Sequence, residues 1–115
     1  MKLFSSLRKI RVFERAQLPF LKSVVDFDLI IEIGYAEEQG QPLTLKQLIL
    51  MNVGSRTTVS RRLTKLIERG VVIRRKNADD RRSSFLAVSS SSLKLFGKYG
   101  SMLTSVFRLP FISED

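Results

Sequence analysis

Residues 55–70 form a sharply bounded helical segment, and its two ends restrict the fold more than any other part of the chain. Ser55 is a residue type that caps a helix N-terminus, and Gly70 is the type that ends a helix in the left-handed conformation. Between them, apolar side chains fall on one stripe at about 100° per residue, which is the face that a globular protein buries. That stripe consists of Val59, Leu63, Leu66 and Ile67. The spacing therefore predicts an amphipathic helix packed on a core.

The side of this helix opposite the apolar stripe is polar. Its members are Thr57, Arg61, Thr64, Lys65 and Glu68. Because a charged helix face is commonly just solvated, the helix alone does not distinguish a water-facing surface from one that binds nucleic acid.

The segment after Gly70 predicts a two-stranded hairpin with a charged tip. Its parts are a β-branched run at 71–73, the cations Arg74, Arg75 and Lys76, a polar turn at 77–80, Arg81 and Arg82, and an alternating strand at 84–88. Residues 55–82 hold ten Lys or Arg and three Asp or Glu, a local net charge of +7 in a chain of +9. A helix followed by a basic hairpin is the winged form of a helix-turn-helix, and a polyanion is one strong reason to concentrate cations there.

A second helix is predicted directly before Ser55. Thr44 and Gln47 have the spacing of a capping box, and the residues at 52–54 form a short turn that contains Gly. The predicted buried side chains of this helix are Leu45, Leu48, Ile49 and Met51. Two helices joined by such a turn form either an ordinary helical hairpin or a helix-turn-helix, whose second helix enters the major groove. The basic hairpin that follows favours the second reading.

The remaining segments predict supporting helices. Residues 3–15 repeat apolar side chains at helical spacing, and this helix either caps its own core or packs against a second subunit. Residues 21–39 predict a well-covered helix after Pro19, within a net-negative stretch that is unsuited to a phosphate backbone. Serines at 89–92 start a last helix, and Pro110 ends regular structure before a short acidic tail. The apolar side chains of the last helix are Leu93, Leu95, Phe96, Tyr99, Leu103, Val106 and Phe107.

Length and composition bound the function classes. A chain of 115 residues with 43% hydrophobic content suits one domain. It has no cysteine and no histidine, which excludes disulfides and zinc sites, and no apolar run approaches the roughly 20 residues of a membrane span. The adjacent Asp79 and Asp80 lie in an arginine-rich turn where ion pairing explains them better than catalysis. We expect a cytoplasmic protein that is not an enzyme and needs no cofactor.

Residues 42–89 resemble the MarR family of winged-helix transcription regulators. The most specific parts are TVSRRLTKLIERGVVIRR at 58–75, similar to the family's recognition helix running into its wing, and NADDRRS at 77–83, similar to its wing tip. The resemblance implies a homodimer that binds a pseudo-palindromic duplex and usually represses transcription. Many members bind a small-molecule effector between their dimer and DNA-binding parts, although no residue here identifies a ligand.

The resemblance also implies roles for individual residues. Ser60, Arg61 and Lys65 match positions that contact bases and phosphates in the major groove. Arg82 matches the arginine that enters the minor groove, and Asp80 matches the acid that steadies the wing. Arginine suits both tasks because its fork fits guanine O6 and N7 and its charge fits a narrow minor groove. The full predicted DNA surface is Ser55, Arg56, Thr57, Thr58, Ser60, Arg61, Lys65, Arg74, Arg75, Lys76, Asp80, Arg81 and Arg82.

The expected fold class is therefore α+β, mainly α: one winged helix-turn-helix domain over residues 1–115. Residues 44–70 form the helix-turn-helix and residues 71–88 the wing, and the segments 1–39 and 89–109 supply supporting and dimerisation helices. Only one helix and a short tail fit after the wing, whereas members of the family commonly carry two helices there, so the geometry of the dimer stays open. The alternative function is a winged-helix module that binds RNA or a protein partner.

Overall fold

The computed structural model describes residues 2–80 and 82–107, which form five helices and one antiparallel hairpin. Arg81, Pro110 and the acidic tail lie outside these residues. In chain order the elements are α1 (Leu3–Gln17), α2 (Val24–Glu38), α3 (Leu45–Leu50), α4 (Arg56–Glu68), β1 (Val72–Lys76), β2 (Ser84–Val88) and α5 (Ser90–Phe107). This order and the paired strands confirm the predicted fold class, a mainly helical winged helix-turn-helix. No helix in the described ranges is long and apolar enough to cross a bilayer.

The predicted ends of α3 and α4 are confirmed. The Thr44 hydroxyl accepts from the Gln47 amide while the Gln47 side chain accepts from the Thr44 amide, so the capping box is complete. Ser55 Oγ accepts from the Thr58 amide at 3.2 Å, and Gly70 ends the helix region with φ of +71°. The expected buried face of α3 was too wide: Leu45 and Met51 are about two-fifths exposed and only Leu48 is fully buried. A helix of six residues presents little more than one side chain to the core.

Helix α2 begins at Val24, three residues later than predicted. Ser23 accepts from the Asp26 amide and Asp26 accepts from the Ser23 amide, which forms a capping box that sequence reasoning missed. Pro19 does not start a helix; it lies in a turn whose neighbours Leu18 and Phe20 are buried. The loop therefore enters the core instead of extending α2 backwards.

The wing pairs β1 with β2 in a register that runs from Val72 opposite Val88 to Lys76 opposite Ser84. The alternation predicted for 84–88 is wrong, because the last three residues of β2 are all buried. The Leu86 amide donates to the Leu43 carbonyl at 2.8 Å, and the Val88 amide donates to Glu37 Oε1 at 2.8 Å. Both the segment before α3 and helix α2 therefore cover this strand, and it has no solvent-facing side at its inner end.

The core lies between α2, α4 and the base of the wing. Its fully enclosed side chains include Leu29 and Ile33 from α2, Val59 and Leu66 from α4, and Val72 from β1. Val59, Leu63, Leu66 and Ile67 were the predicted apolar stripe; the first three are buried and Ile67 packs against them. This stripe fixes which side of α4 faces outward.

Helices α1 and α5 form an arm that extends from this core. The rings of Phe13 and Tyr99 pack at a tilt of 35° with centroids 5.8 Å apart, and the Tyr99 hydroxyl donates to Glu14 Oε2 at 2.6 Å. Burial and this hydrogen bond raise the pKa of Tyr99 well above its usual range. The described residues span 58 × 27 × 25 Å, with a radius of gyration of 16.4 Å. A compact domain of this length would have a radius near 13 Å, so the molecule is elongated.

Candidate nucleic-acid interface

The outward face of α4 carries the residues that the sequence assigned to it. All five are exposed: Thr57, Arg61, Thr64, Lys65 and Glu68. Arg56 is also exposed, at the first position of the helix. Lys65 Nζ lies 3.6 Å from Glu68 Oε2, but both side chains are more than half exposed, so this pair holds the lysine only weakly. The face therefore presents two cations, two threonine hydroxyls and one acid to solvent.

Two hydroxyls at the start of α4, and a third in its second half, form hydrogen bonds within the helix. Ser55 Oγ donates to Thr58 Oγ1 at 2.9 Å, and the Ser60 carbonyl accepts from Thr64 Oγ1 at 2.8 Å. Ser55 is exposed, whereas Thr58 and Ser60 are half-buried. These groups order the first turns of α4 and leave the outermost positions to Arg56, Thr57 and Arg61.

Arg62 forms an inward-facing ion pair that the sequence reasoning missed. Its Nε donates to Asp26 Oδ1 at 2.6 Å and its Nη2 donates to Asp26 Oδ2 at 2.8 Å, so it turns inward from α4. Burial by itself would raise the pKa of Asp26, yet the hydrogen bonds from Arg62 and from backbone amides outweigh it and leave that pKa below its usual value. One of the ten cations counted in 55–82 is therefore neutralised inside the protein. No local pattern signals a partner 36 positions away.

The cations of β1 lie within the strand, directly before the turn at 77–80. Arg74, Arg75 and Lys76 are all exposed. Successive side chains of a strand point to opposite faces, so Arg75 is on the other side of the hairpin from its two neighbours. The wing thus carries positive charge on both faces.

Two side chains order the tip of the wing. Asn77 Oδ1 accepts from the Asp79 amide at 3.0 Å, and Asn77 Nδ2 donates to Ser83 Oγ at 3.0 Å. Asp80 Oδ1 accepts from the Arg82 amide at 2.9 Å. Such side-chain turns fix a backbone that would otherwise flex. Asn77 was part of the wing-tip pattern but not of the predicted site, and Arg81 is not among the described residues.

A groove of about 650 Å³ separates α1 from α2. Its apolar lining includes Leu7, Ile10 and Phe27, and its rim carries cations such as Arg11 and Lys22. It lies on the side of α2 that faces the helical arm.

Comparison with known proteins places these features in a family. Residues 23–83 match the model of the MarR family, and no curated protein gives a match. Among solved structures, S. aureus MepR in complex with DNA has a TM-score of 0.69 and 18% identity over 94% of this chain and 87% of that one. A transcriptional regulator from Thermotoga maritima has a TM-score of 0.66 and 20% identity over 92% and 72%. NadR in complex with 4-hydroxyphenylacetate has a TM-score of 0.58 and 20% identity over 94% and 77%.

At these identities the solved structures establish the fold, and the sequence match carries the relationship. The matched segment runs from the cap of α2 through the helix-turn-helix to the wing tip. It holds the capped α4 and the Asn77–Asp80 turn described above. Since it covers more than half of the chain, this protein belongs to the MarR family of transcription regulators.

Proposed function

We propose that this chain binds specific sites in double-stranded DNA as a homodimer and represses transcription there, with residues 1–115 acting as one winged-helix domain. The observation that carries the proposal is the continuity of two surfaces. The exposed polar face of α4 leads through Gly70 directly into strand β1, whose three exposed residues, Arg74, Arg75 and Lys76, are all cations. A rigid helix beside a basic ribbon suits a major groove and its flanking phosphates.

In this arrangement α4 is the recognition helix. Arg61 donates its fork to a guanine edge, Lys65 and Arg56 contact phosphates, and Thr57 and Ser60 supply hydroxyls, with Ser55 and Thr58 ordering the helix start. Arg82 enters the minor groove from a tip held by Asp80, while Arg74, Arg75, Lys76 and Arg81 bind phosphates. MepR, one of the structures similar to this chain, is complexed with DNA.

The homodimer rests on the helical arm. Phe4 is 80% exposed, and Leu7 and Val12 are almost half exposed, although all three are apolar. No residue of α1 is fully buried, even with α5 packed against it. Apolar surface of this kind at the end of an elongated molecule marks a protein interface, and a second copy gives a symmetric solution.

The proposal is tested by selecting a duplex from a random library and comparing its binding with that of random duplex, the same sequence as RNA duplex, and each single strand at matched salt. We expect the selected DNA duplex to bind at least about 10³-fold more tightly than random DNA. Equal or tighter binding to RNA would favour the RNA module. No binding to any nucleic acid would favour the alternative in which the winged helix binds a protein partner.

Replacing Arg61 with alanine tests the outward face of α4. Because Arg61 is exposed and lies opposite the buried stripe, Arg61→Ala should leave folding intact and weaken specific binding by about 1–3 kcal/mol. Lys65→Ala should weaken selected and random duplexes evenly, and Lys98→Ala on α5 is the control for loss of one exposed charge. If Arg61→Ala instead lost its fold while the folded fraction bound DNA normally, Arg61 would belong to the core-facing side of α4 and not to the outward face.

Asp80→Ala separates the ordering of the wing tip from simple charge. Removing an acid near DNA should tighten binding if only charge matters. Because Asp80 holds the Arg82 amide at 2.9 Å, its loss should instead free the tip, and specific affinity should fall although the net charge rises. Arg82→Ala should weaken binding and lower the salt slope by about one phosphate equivalent. Tighter binding of Asp80→Ala to both selected and random duplex would reduce Asp80 to a bystander.

A further inference from the structure

The pair formed by Asp26 and Arg62 joins the first turn of α2 to the middle of α4. Its two parallel hydrogen bonds measure 2.6 and 2.8 Å. Asp26 is fully buried and the Arg62 side chain is only one-fifth exposed. A bidentate arginine fork fixes direction as well as distance, which a lysine ammonium does not. The contact therefore restricts how α4 is oriented on α2.

Asp26 is itself fixed by the start of α2. Its Oδ2 also accepts from the Lys22 amide at 2.8 Å and from the Ser23 amide at 3.0 Å. The same carboxylate thus caps α2 and receives Arg62. Arg62 can shift only if the carboxylate leaves the capping amides or the fork breaks. The pair therefore restricts the movement of α4 relative to α2.

Rotation of α4 about its own axis is the movement that matters for reading bases. The stripe of Val59, Leu63 and Leu66 holds α4 to the core, but apolar contact is non-directional and tolerates a small roll. A roll of about 20° moves a side chain roughly 6 Å from the helix axis by about 2 Å. Hydrogen bonds to base edges do not survive such a displacement.

We propose that Asp26 and Arg62 are positioning residues for DNA recognition: their buried fork sets the roll of α4, so that the neighbouring Arg61 meets its base while Arg62 itself touches no DNA. The proposal rests on the proposed function of α4. Compared with apolar side chains of similar volume a buried ion pair often adds little stability, so its fixed direction is the property that suits a pair placed behind a reading helix.

Binding measurements with Arg62→Lys and Asp26→Asn test the pair from its two ends, at a temperature where circular dichroism shows each variant folded. Arg62→Lys keeps the charge and loses the fork; Asp26→Asn raises the net charge by one. We expect both to weaken binding to the selected duplex about tenfold or more, with random-duplex affinity within about twofold and an unchanged salt slope. The double variant should lose no more than either single variant, because each removes the same contact. The control is Asp28→Asn, which raises the net charge by one at a half-buried acid of the same helix and should change neither affinity.

A contact of Arg62 with phosphate predicts the opposite pattern. Arg62→Lys would then bind both duplexes normally, and Asp26→Asn would tighten both by freeing the cation. Either result overturns the proposal.

Spin-label distances test the positioning without DNA. The chain has no cysteine, so Ile31→Cys on the exposed side of α2 and Glu68→Cys at the end of α4 give unique label sites. Diluted with unlabelled protein, the pair should give one narrow distance distribution, which broadens or shifts when Asp26→Asn or Arg62→Lys is added. Unchanged distances together with an unchanged ratio of specific to random binding would reject the proposal. If no duplex is preferred by the unaltered protein, the proposed function fails, while the distances still decide whether the pair positions α4.

Discussion

Asp26→Ala is expected to lower the free energy of unfolding by about 3–5 kcal/mol, a large part of the 5–15 kcal/mol typical of a domain. The truncation leaves the inward-turned Arg62 without its carboxylate and removes the acceptor for the Lys22 and Ser23 amides at the start of α2. Urea unfolding at pH 7 measures the loss. The matched control is Asp28→Ala, which removes a half-exposed acid from the same helix and should change stability by less than about 0.5 kcal/mol.

The same residue makes stability depend on pH in a defined direction. The folded-state pKa of Asp26 is lowered, since hydrogen bonds from Arg62 and the backbone outweigh the effect of burial. The contribution of Asp26 to the free energy of unfolding is therefore present above its unfolded-state pKa of about 4. It is lost as the pH falls through the lower pKa of the folded state. The unaltered protein should lose stability more steeply below pH 4 than Asp26→Asn. Equal losses for Asp26→Ala and Asp28→Ala, or parallel acid profiles, would show that the pair contributes nothing to stability.

Local chemistry explains why much of the fold was predictable. The ends of α3 and α4 could be predicted from residue type alone, because each capping residue acts on backbone groups only a few residues away. These residues are Thr44, Ser55 and Gly70. The stripe from Val59 to Leu66 follows from helical period, and the paired strands follow from the turn between them. Capping and periodicity are short-range, and a sequence displays them directly.

Two of the features that sequence reasoning missed depend on distant parts of the chain. In the sequence nothing distinguishes Arg62 from its exposed neighbours, because its partner Asp26 lies 36 positions away on α2. The side chains of β2 were expected to alternate between buried and exposed, but Glu37 on α2 and Leu43 in the segment before α3 cover the strand. Ser23 is a residue type that caps helices, yet the apolar residues before it favoured an earlier start for α2. In the first two cases a tertiary contact overrode the local pattern, whereas the capping box of Ser23 and Asp26 is itself local.

Placing two glutamates on the helical arm, Phe4→Glu with Leu7→Glu, should convert a homodimer into monomers and weaken binding to the selected duplex by about 100-fold or more. Both side chains are exposed on α1, so the double variant should fold normally as a monomer. Two linked reading helices bind a two-part site far more tightly than one, because the second binding step becomes intramolecular. Sedimentation at micromolar concentration measures the mass, and footprinting should show two half-sites about 10 base pairs apart in the unaltered protein only.

Ile31→Glu is the control for this change, since it puts the same charge on an exposed apolar position of α2 outside the arm. It should leave both mass and affinity unaltered. The position of the contact matters because Phe13 already packs on Tyr99 of its own chain, which leaves the outer residues of α1 to meet a second copy. A monomer mass for the unaltered protein, with a single half-site protected on DNA, would remove the homodimer from the proposed function. A double variant that stays dimeric would instead move the interface away from Phe4 and Leu7 to the outer surface of α5, where Leu93 is also half exposed.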